Sequence, residues 1–260
     1  MERLRRIFER LRVAACYAMY AAANAVFIAA ALALYAARSA GMESAGSAAN
    51  SLLRFLVRLL ALRIFPFVGG YRVQVRGLEN APSKPSVYAF NHISYLDPLF
   101  ALAIVPNAAV VVKGKYDSVL AIWILTRLFD FVSIGGGSRE DLERAMEKLS
   151  RVVELGRNIV IFPEGTRMRG GRLGDFKSMA FRLSRRFGMD VAPGAIVSSE
   201  PVFTRGTSLI PERNGFSFSI KLLEPLHPGD FDSADSLSAA AYRAISRACK
   251  DMRASFPEKT

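Results

Sequence analysis

Cysteine and histidine are nearly absent from this chain, and acid is in short supply. Cys16 and Cys249 are its two cysteines, far apart among 260 residues, the first within an apolar stretch. They make neither a disulfide framework nor a metal set, so no metal is expected and a reducing compartment is the default. Asp and Glu total 23 against 35 Lys and Arg, a formal charge of +12. That surplus asks for an anionic partner: nucleic acid, an anionic membrane surface or a phosphorylated substrate. Further absences count against nucleic acid. There is no zinc-finger spacing, no RNP-like aromatic pattern and no Lys/Arg run long enough for a binding arm. Nor is there an internal repeat or a low-complexity segment beyond an alanine bias.

What is present begins with a basic start, five arginines and two glutamates in residues 1–12. Val13 to Ala37 then carries no charge. As a helix, such a stretch is about 37 Å long, enough for a bilayer core of about 30 Å. It is long for a cleaved signal peptide. A small, polar turn from Arg38 to Ser47 leads to a second apolar segment, Leu52 to Phe67, punctuated by Arg54, Arg58 and Arg63. Arginines in such a helix snorkel to the headgroups. The arginine-rich start argues for a cytoplasmic N-terminus. A helical hairpin, or two interfacial helices, over residues 1–68 would leave both ends on the cytoplasmic face. The bland alternative is a pair of core helices in a soluble protein.

Residues 69–260 read as one α/β domain, in which strands separated by helices favour a mostly parallel sheet flanked by helices on both faces. Expected strands are Tyr71–Val75, Ser86–Phe90, Ala108–Lys113, Phe131–Ile134, Asn158–Phe162, Val191–Val197 and Phe216–Leu222. Expected helices are Pro98–Ile104, Trp123–Leu128, one opened by Ser138 and ended by Gly156, Phe176–Phe187 stopped by Gly188, and Ser236–Arg253.

At the end of the Ser86–Phe90 strand stands Asn91-His92-Ile93-Ser94-Tyr95-Leu96-Asp97-Pro98. A histidine that accepts a proton near neutral pH needs a partner on its far ring nitrogen, and Asp97 is placed to be one. Asp97-Pro98 is also a good helix start, with Asp as N-cap and Pro at the first helical position. The other histidine, His227, sits in a turn-like Leu-His-Pro-Gly.

His92-x4-Asp97 together with Phe162-Pro163-Glu164-Gly165-Thr166-Arg167 resembles the glycerolipid acyltransferase family. The likeness runs from about Gly77 to Leu226, and the two motifs in this order make it specific. It implies a glycerol-3-phosphate acyltransferase-like fold behind an N-terminal membrane-associated helical pair. It further implies His92 as general base, Asp97 as its orienting partner, and acyl transfer from acyl-CoA or acyl-carrier protein to the hydroxyl of lysophosphatidic acid. The donor is a substrate, and no resident cofactor is implied. The second motif would cradle the acceptor phosphate, with Arg167 as a planar fork, backbone N–H groups at Gly165 and Thr166, and Glu164 positioning Arg167 or a glycerol hydroxyl. Lys113 would add a phosphate contact, with Lys115 as the alternative. Lys177 is assigned instead to lipid headgroups, and Val191-Ala192-Pro193-Gly194 to the wall of the acyl channel.

One position departs from the family. Where an arginine is usual after the third strand, this chain has Gly136, so either Arg139 reaches in or the Gly135–Gly137 run offers amides to an anion. That leaves another lysophospholipid, or a lyso-aminolipid, as an alternative acceptor. With no Gly-x-Ser-x-Gly elbow and no cysteine near the motifs, direct transfer is preferred to an acyl-enzyme. Ser94 is the alternative nucleophile. A lipid hydrolase and a non-catalytic membrane module are the rival functions.

Overall fold

The computed structural model describes residues 2–40, 51–52, 54–113, 131–135, 138–168, 172–202, 204 and 215–256. The expected helix at Trp123–Leu128, Lys115, Gly136 and Gly137 lie outside them.

Seven strands form one sheet: β1 (Arg72–Arg76), β2 (Val87–Phe90), β3 (Ala108–Lys113), β4 (Val132–Ile134), β5 (Asn158–Ile161), β6 (Val191–Ser198) and β7 (Ser217–Leu222). Their order is β1-β7-β6-β2-β5-β3-β4. Every neighbouring pair is parallel except β6 with β7, which reverses direction and carries β1 with it as a parallel edge.

β2 shows why the sheet is covered on both sides. All four residues are buried, and alternate side chains enter different cores. Tyr88 and Phe90 join Phe100 and Ala101 of α3 (Asp97–Ile104) and Phe218, Ile220 and Leu222 of β7. Val87 and Ala89 join Leu149 and Val152 of α4 (Arg139–Glu154), Phe181 and Leu183 of α5 (Met179–Phe187) and Leu237 of α6 (Ala234–Ala254). Ala195 and Val197 of β6 bury against Ile245, Ala248 and Met252 farther along α6. β1, at the edge, keeps Arg72, Gln74 and Arg76 exposed and turns Val73 and Val75 inward.

The helix ends follow local chemistry. Ser138 caps α4 by accepting from the Asp141 amide at 3.1 Å, and Gly156 follows the helix with φ 64°. α5 begins three residues later than its apolar pattern suggests, after Ser178, and ends at left-handed Gly188.

Before the sheet, α1 (Glu2–Ser39) runs 38 residues. Its Ile7–Ala30 portion is long and apolar enough to cross a membrane and is 6% buried. α1 leans on α2 (Phe65–Gly69): Arg12 donates to the Gly69 carbonyl, Cys16 Sγ lies 3.3 Å from the Val68 carbonyl, and Tyr20 meets Phe65. A π turn at Leu60–Ile64 precedes α2, next to Pro66, which has no N–H to continue an α-helical ladder. Arg58 and Arg63 are exposed, as a headgroup role requires. Arg54 differs: it is half-buried and aims Nη1 at the Ala108 carbonyl, 3.4 Å away. Phe55 and Phe67 are exposed on the same segment.

Candidate active site

β2 delivers the first loop to the carboxyl end of the parallel strands, where open α/β sheets collect ligands. Asn91 marks the exit. Its side chain imitates a peptide, donating Nδ2–H to the Ile196 carbonyl (2.8 Å) and accepting the Ile196 amide (2.7 Å). Nothing local signals that role, because its partner is 105 residues away.

Asp97 is fully buried and gathers the loop around one oxygen. Oδ2 accepts the Ile93 amide (2.6 Å) and the Ser94 amide (2.7 Å), and lies 2.9 Å from His92 Nδ1. Its role at the helix start differs from expectation. Leu96 holds the N-cap position and Asp97 is the first helical residue, because its carboxylate turns back to the loop amides three and four residues earlier. Oδ1 is buried with no hydrogen-bond partner among the described residues. A carboxylate so placed makes Nδ1 the protonated nitrogen and leaves Nε2 with the lone pair. The imidazole lies 4.5 Å from the Phe162 ring and its side chain is 17% exposed. Ser94 is fully buried and its Oγ accepts the Leu96 amide at 3.2 Å, a structural role within the loop.

β5, next to β2, brings up the second loop. Gly165 closes its turn in the left-handed region, φ 62°, donating its N–H to the Phe162 carbonyl at 2.9 Å. That amide is therefore spent within the turn, contrary to the expectation that it faces a phosphate. Thr166 beside it is half-buried.

Glu164 also sits otherwise than foreseen. It is 6% exposed, and its oxygens accept the amides of His92 (2.7 Å) and Gly174 (2.7 Å). Its carboxylate thus fastens the second loop to the backbone of His92. Burial, with a smaller push from Asp97, raises its pKa to about 7 against the pull of those two amides. The Met168 amide donates to the His92 carbonyl (2.9 Å), so the imidazole's residue is held at both its backbone groups. Just before Met168, Arg167 lays its guanidinium 3.3 Å from the centre of the Tyr95 ring, inside the His92–Asp97 loop.

The remaining candidates are spread out. Lys113 is exposed at the carboxyl end of β3, and the β3–β5 register carried past its last pair, Val110 with Val160, sets it level with Pro163. Arg139 opens α4, and its side chain lies outside the described residues. At Gly135 the Asp141 carboxylate crowds close, with a carboxylate oxygen 2.8 Å from where a Cβ would stand. An anion bound there would meet that acid, which Arg144 and Ser138 hold below the usual carboxylate range. Pro193 and Gly194 are buried in mid-sheet, where a Cβ on Gly194 would collide with the Phe90 ring. Among the described residues, no three His, Cys, Asp or Glu side chains converge as a metal set.

A second imidazole–carboxylate pair supplies a contrast. His227 Nδ1 lies 2.7 Å from Asp190 Oδ1, at the opposite end of the parallel strands, with its side chain 62% exposed. Its acid is not buried, and the cation beside it, Arg185, gives Nη1 to the Pro228 and Phe231 carbonyls.

Residues 72–197 match a family described as Acyltransferase. A chloroplast 1-acyl-sn-glycerol-3-phosphate acyltransferase of Arabidopsis thaliana is 30% identical over 184 residues, 68% of this chain and 49% of the relative. A probable enzyme of the same name from Mycoplasma pneumoniae is 25% identical over 207 residues, 75% of this chain and 77% of the relative. The chain thus spans about half the length of the plant relative. The crystal structure of the 1-acyl-sn-glycerophosphate acyltransferase PlsC from Thermotoga maritima superposes with a TM-score of 0.69 at 20% identity, covering 90% of this chain and 98% of that one. With both motifs on one sheet end, residues 72–197, from β1 into β6, form a domain of the acyltransferase family.

Proposed function

We propose that the chain transfers a fatty acyl group from acyl-CoA or acyl-carrier protein to the free hydroxyl of lysophosphatidic acid, making phosphatidic acid for phospholipid biosynthesis. The observation that carries this is an imidazole braced by a fully buried carboxylate at 2.9 Å, in a loop that also seats the Arg167 guanidinium. The names of the relatives support the same acceptor.

His92 acts as general base. Nε2 takes the proton of the lysolipid hydroxyl while that oxygen attacks the thioester carbonyl carbon. Asp97 holds the Nδ1–H and stabilises the imidazolium. As the intermediate collapses, the carbon–sulfur bond breaks and the leaving thiolate takes the proton from Nε2, so no proton is gained or lost. Arg167 presents two N–H groups to the acceptor phosphate, with Lys113 as a further cation at the same sheet end. Glu164 works through the backbone of His92 and does not touch the substrate.

Residues 1–68 anchor this domain, residues 69–260, to the membrane. The arginines of residues 1–12 meet anionic lipid at the cytoplasmic face, and the exposed apolar side chains of α1, with Phe55 and Phe67, enter it.

The test is to incubate the purified protein with palmitoyl-CoA and a panel of lysolipids. Phosphatidic acid should form from lysophosphatidic acid, and His92→Ala should slow it by about 10²–10⁴-fold. Free fatty acid released without an acceptor would identify a hydrolase. An unaffected His92→Ala protein would point to a non-catalytic membrane module.

A further inference from the structure

We propose that Lys177 is a further cation of the acceptor cradle, closer to the second motif than Lys113 and gripping the lysolipid phosphate alongside Arg167. The inference rests on the lysophosphatidic acid reading above and extends it. Sequence pattern assigns Lys177 to lipid headgroups because it opens a basic helix, but the fold directs it elsewhere. Its backbone N–H donates to the Pro163 carbonyl at 2.8 Å, which ties it to the turn of the second motif. Its side chain then runs back over that turn. A Cβ placed on Gly165 would stand 3.2 Å from Lys177 Cε, 3.3 Å from Nζ and 3.4 Å from Cδ. The ammonium and its stem therefore rest on the face that glycine leaves bare.

No acid of the turn claims this charge. Both Glu164 oxygens point inward to the amides of His92 and Gly174. Among the described residues, Nζ has no hydrogen-bond or ion-pair partner, and the side chain is exposed. An ammonium lying on a turn whose next charged residue, Arg167, is stacked on Tyr95 is placed for an anion brought from solution. The two cations also match the charge to be bound. A phosphomonoester carries about −1.5 to −2 at neutral pH and offers three oxygens. One guanidinium fork engages two of them, and an ammonium can take the third. A phosphodiester headgroup, with a single charge, would use one cation and gain little from the second.

Steady-state kinetics of the full-length protein in detergent micelles test the assignment. Lys177→Met keeps the stem and removes the charge. It should raise KM for lysophosphatidic acid about tenfold and leave kcat within about twofold. KM for acyl-CoA and the melting temperature should stay at wild-type values. Lys177→Arg should recover most of the loss, and Lys148→Met, an exposed lysine on α4, should do nothing. Sedimentation with vesicles of anionic phospholipid separates the two sources of phosphate. If Lys177→Met weakens vesicle binding but leaves KM for lysophosphatidic acid in micelles unchanged, the residue is a headgroup contact and the proposal is overturned. A rise in KM for acyl-CoA alone would overturn it in favour of the donor. A wild-type protein that does not acylate lysophosphatidic acid would remove the underlying reading, and this inference with it.

Discussion

Glu164→Gln probes the fastening between the two loops. The carboxylate accepts one backbone amide on each oxygen, from His92 and Gly174, in a place where it is 6% exposed. A Gln side chain offers one oxygen, and its NH2 would face the other N–H, donor against donor. Leaving a buried amide unmet costs about 1–3 kcal/mol. The pH dependence separates this mechanism from a general loss of packing. Burial, helped by Asp97, lifts the Glu164 carboxyl from 4.5 to about 7. The native state therefore holds this proton more tightly than the unfolded chain does. Its contribution to stability is complete below about pH 4.5 and is lost as pH rises through about 7. At about 1.36 kcal/mol per tenfold, the full loss is about 3 kcal/mol. Glutamine cannot ionise, so wild-type stability should fall relative to the variant by about 2–3 kcal/mol between pH 5 and pH 8. Urea unfolding of both full-length proteins in the same detergent, repeated across that range, measures the difference. Parallel pH profiles would refute the reasoning, since they would mean Glu164 has the same proton affinity folded and unfolded.

Ser94→Ala should keep turnover near the wild-type value and cost about 1 kcal/mol through the lost Leu96 amide contact; a folded but inactive variant, in the same lysolipid assay, would restore Ser94 as a nucleophile. Gly194→Ala should destabilise the protein by about 1–3 kcal/mol, because the new methyl meets the Phe90 ring between two central strands. A thermal melt that does not move would show that β2 and β6 have room the structure denies them.

Local pattern carried much of this protein. The unbroken apolar run Val87–Phe90 announced a strand buried on both faces, and Ser138, the apolar stripe and Gly156 announced α4. These readings succeed because periodicity and capping depend on neighbours within a few residues. The His92–Asp97 pair belongs in the same class. Five residues of loop let the carboxylate return to the imidazole and, by the same curvature, to the amides of Ile93 and Ser94. That second duty is also why Asp97 does not cap its helix.

The rest needed the sheet to close. Strand order places β5 beside β2, and only then does Glu164 reach the His92 amide across 72 residues and Asn91 reach Ile196 across 105. A carboxylate three residues from an arginine in sequence reads as its partner, yet buried N–H groups from elsewhere in the chain claim it first because they have no water to turn to. Lys177 shows the converse. Its helix pattern pointed to lipid, while the hydrogen bond to Pro163 and the bare face of Gly165 drew it onto the turn. Sequence alone thus determined which residues can do acid–base and phosphate chemistry, since side-chain chemistry and short-range spacing are local properties. Tertiary structure decided which of them stand together, because contacts between strands far apart in the chain depend on long-range pairing that no local period encodes.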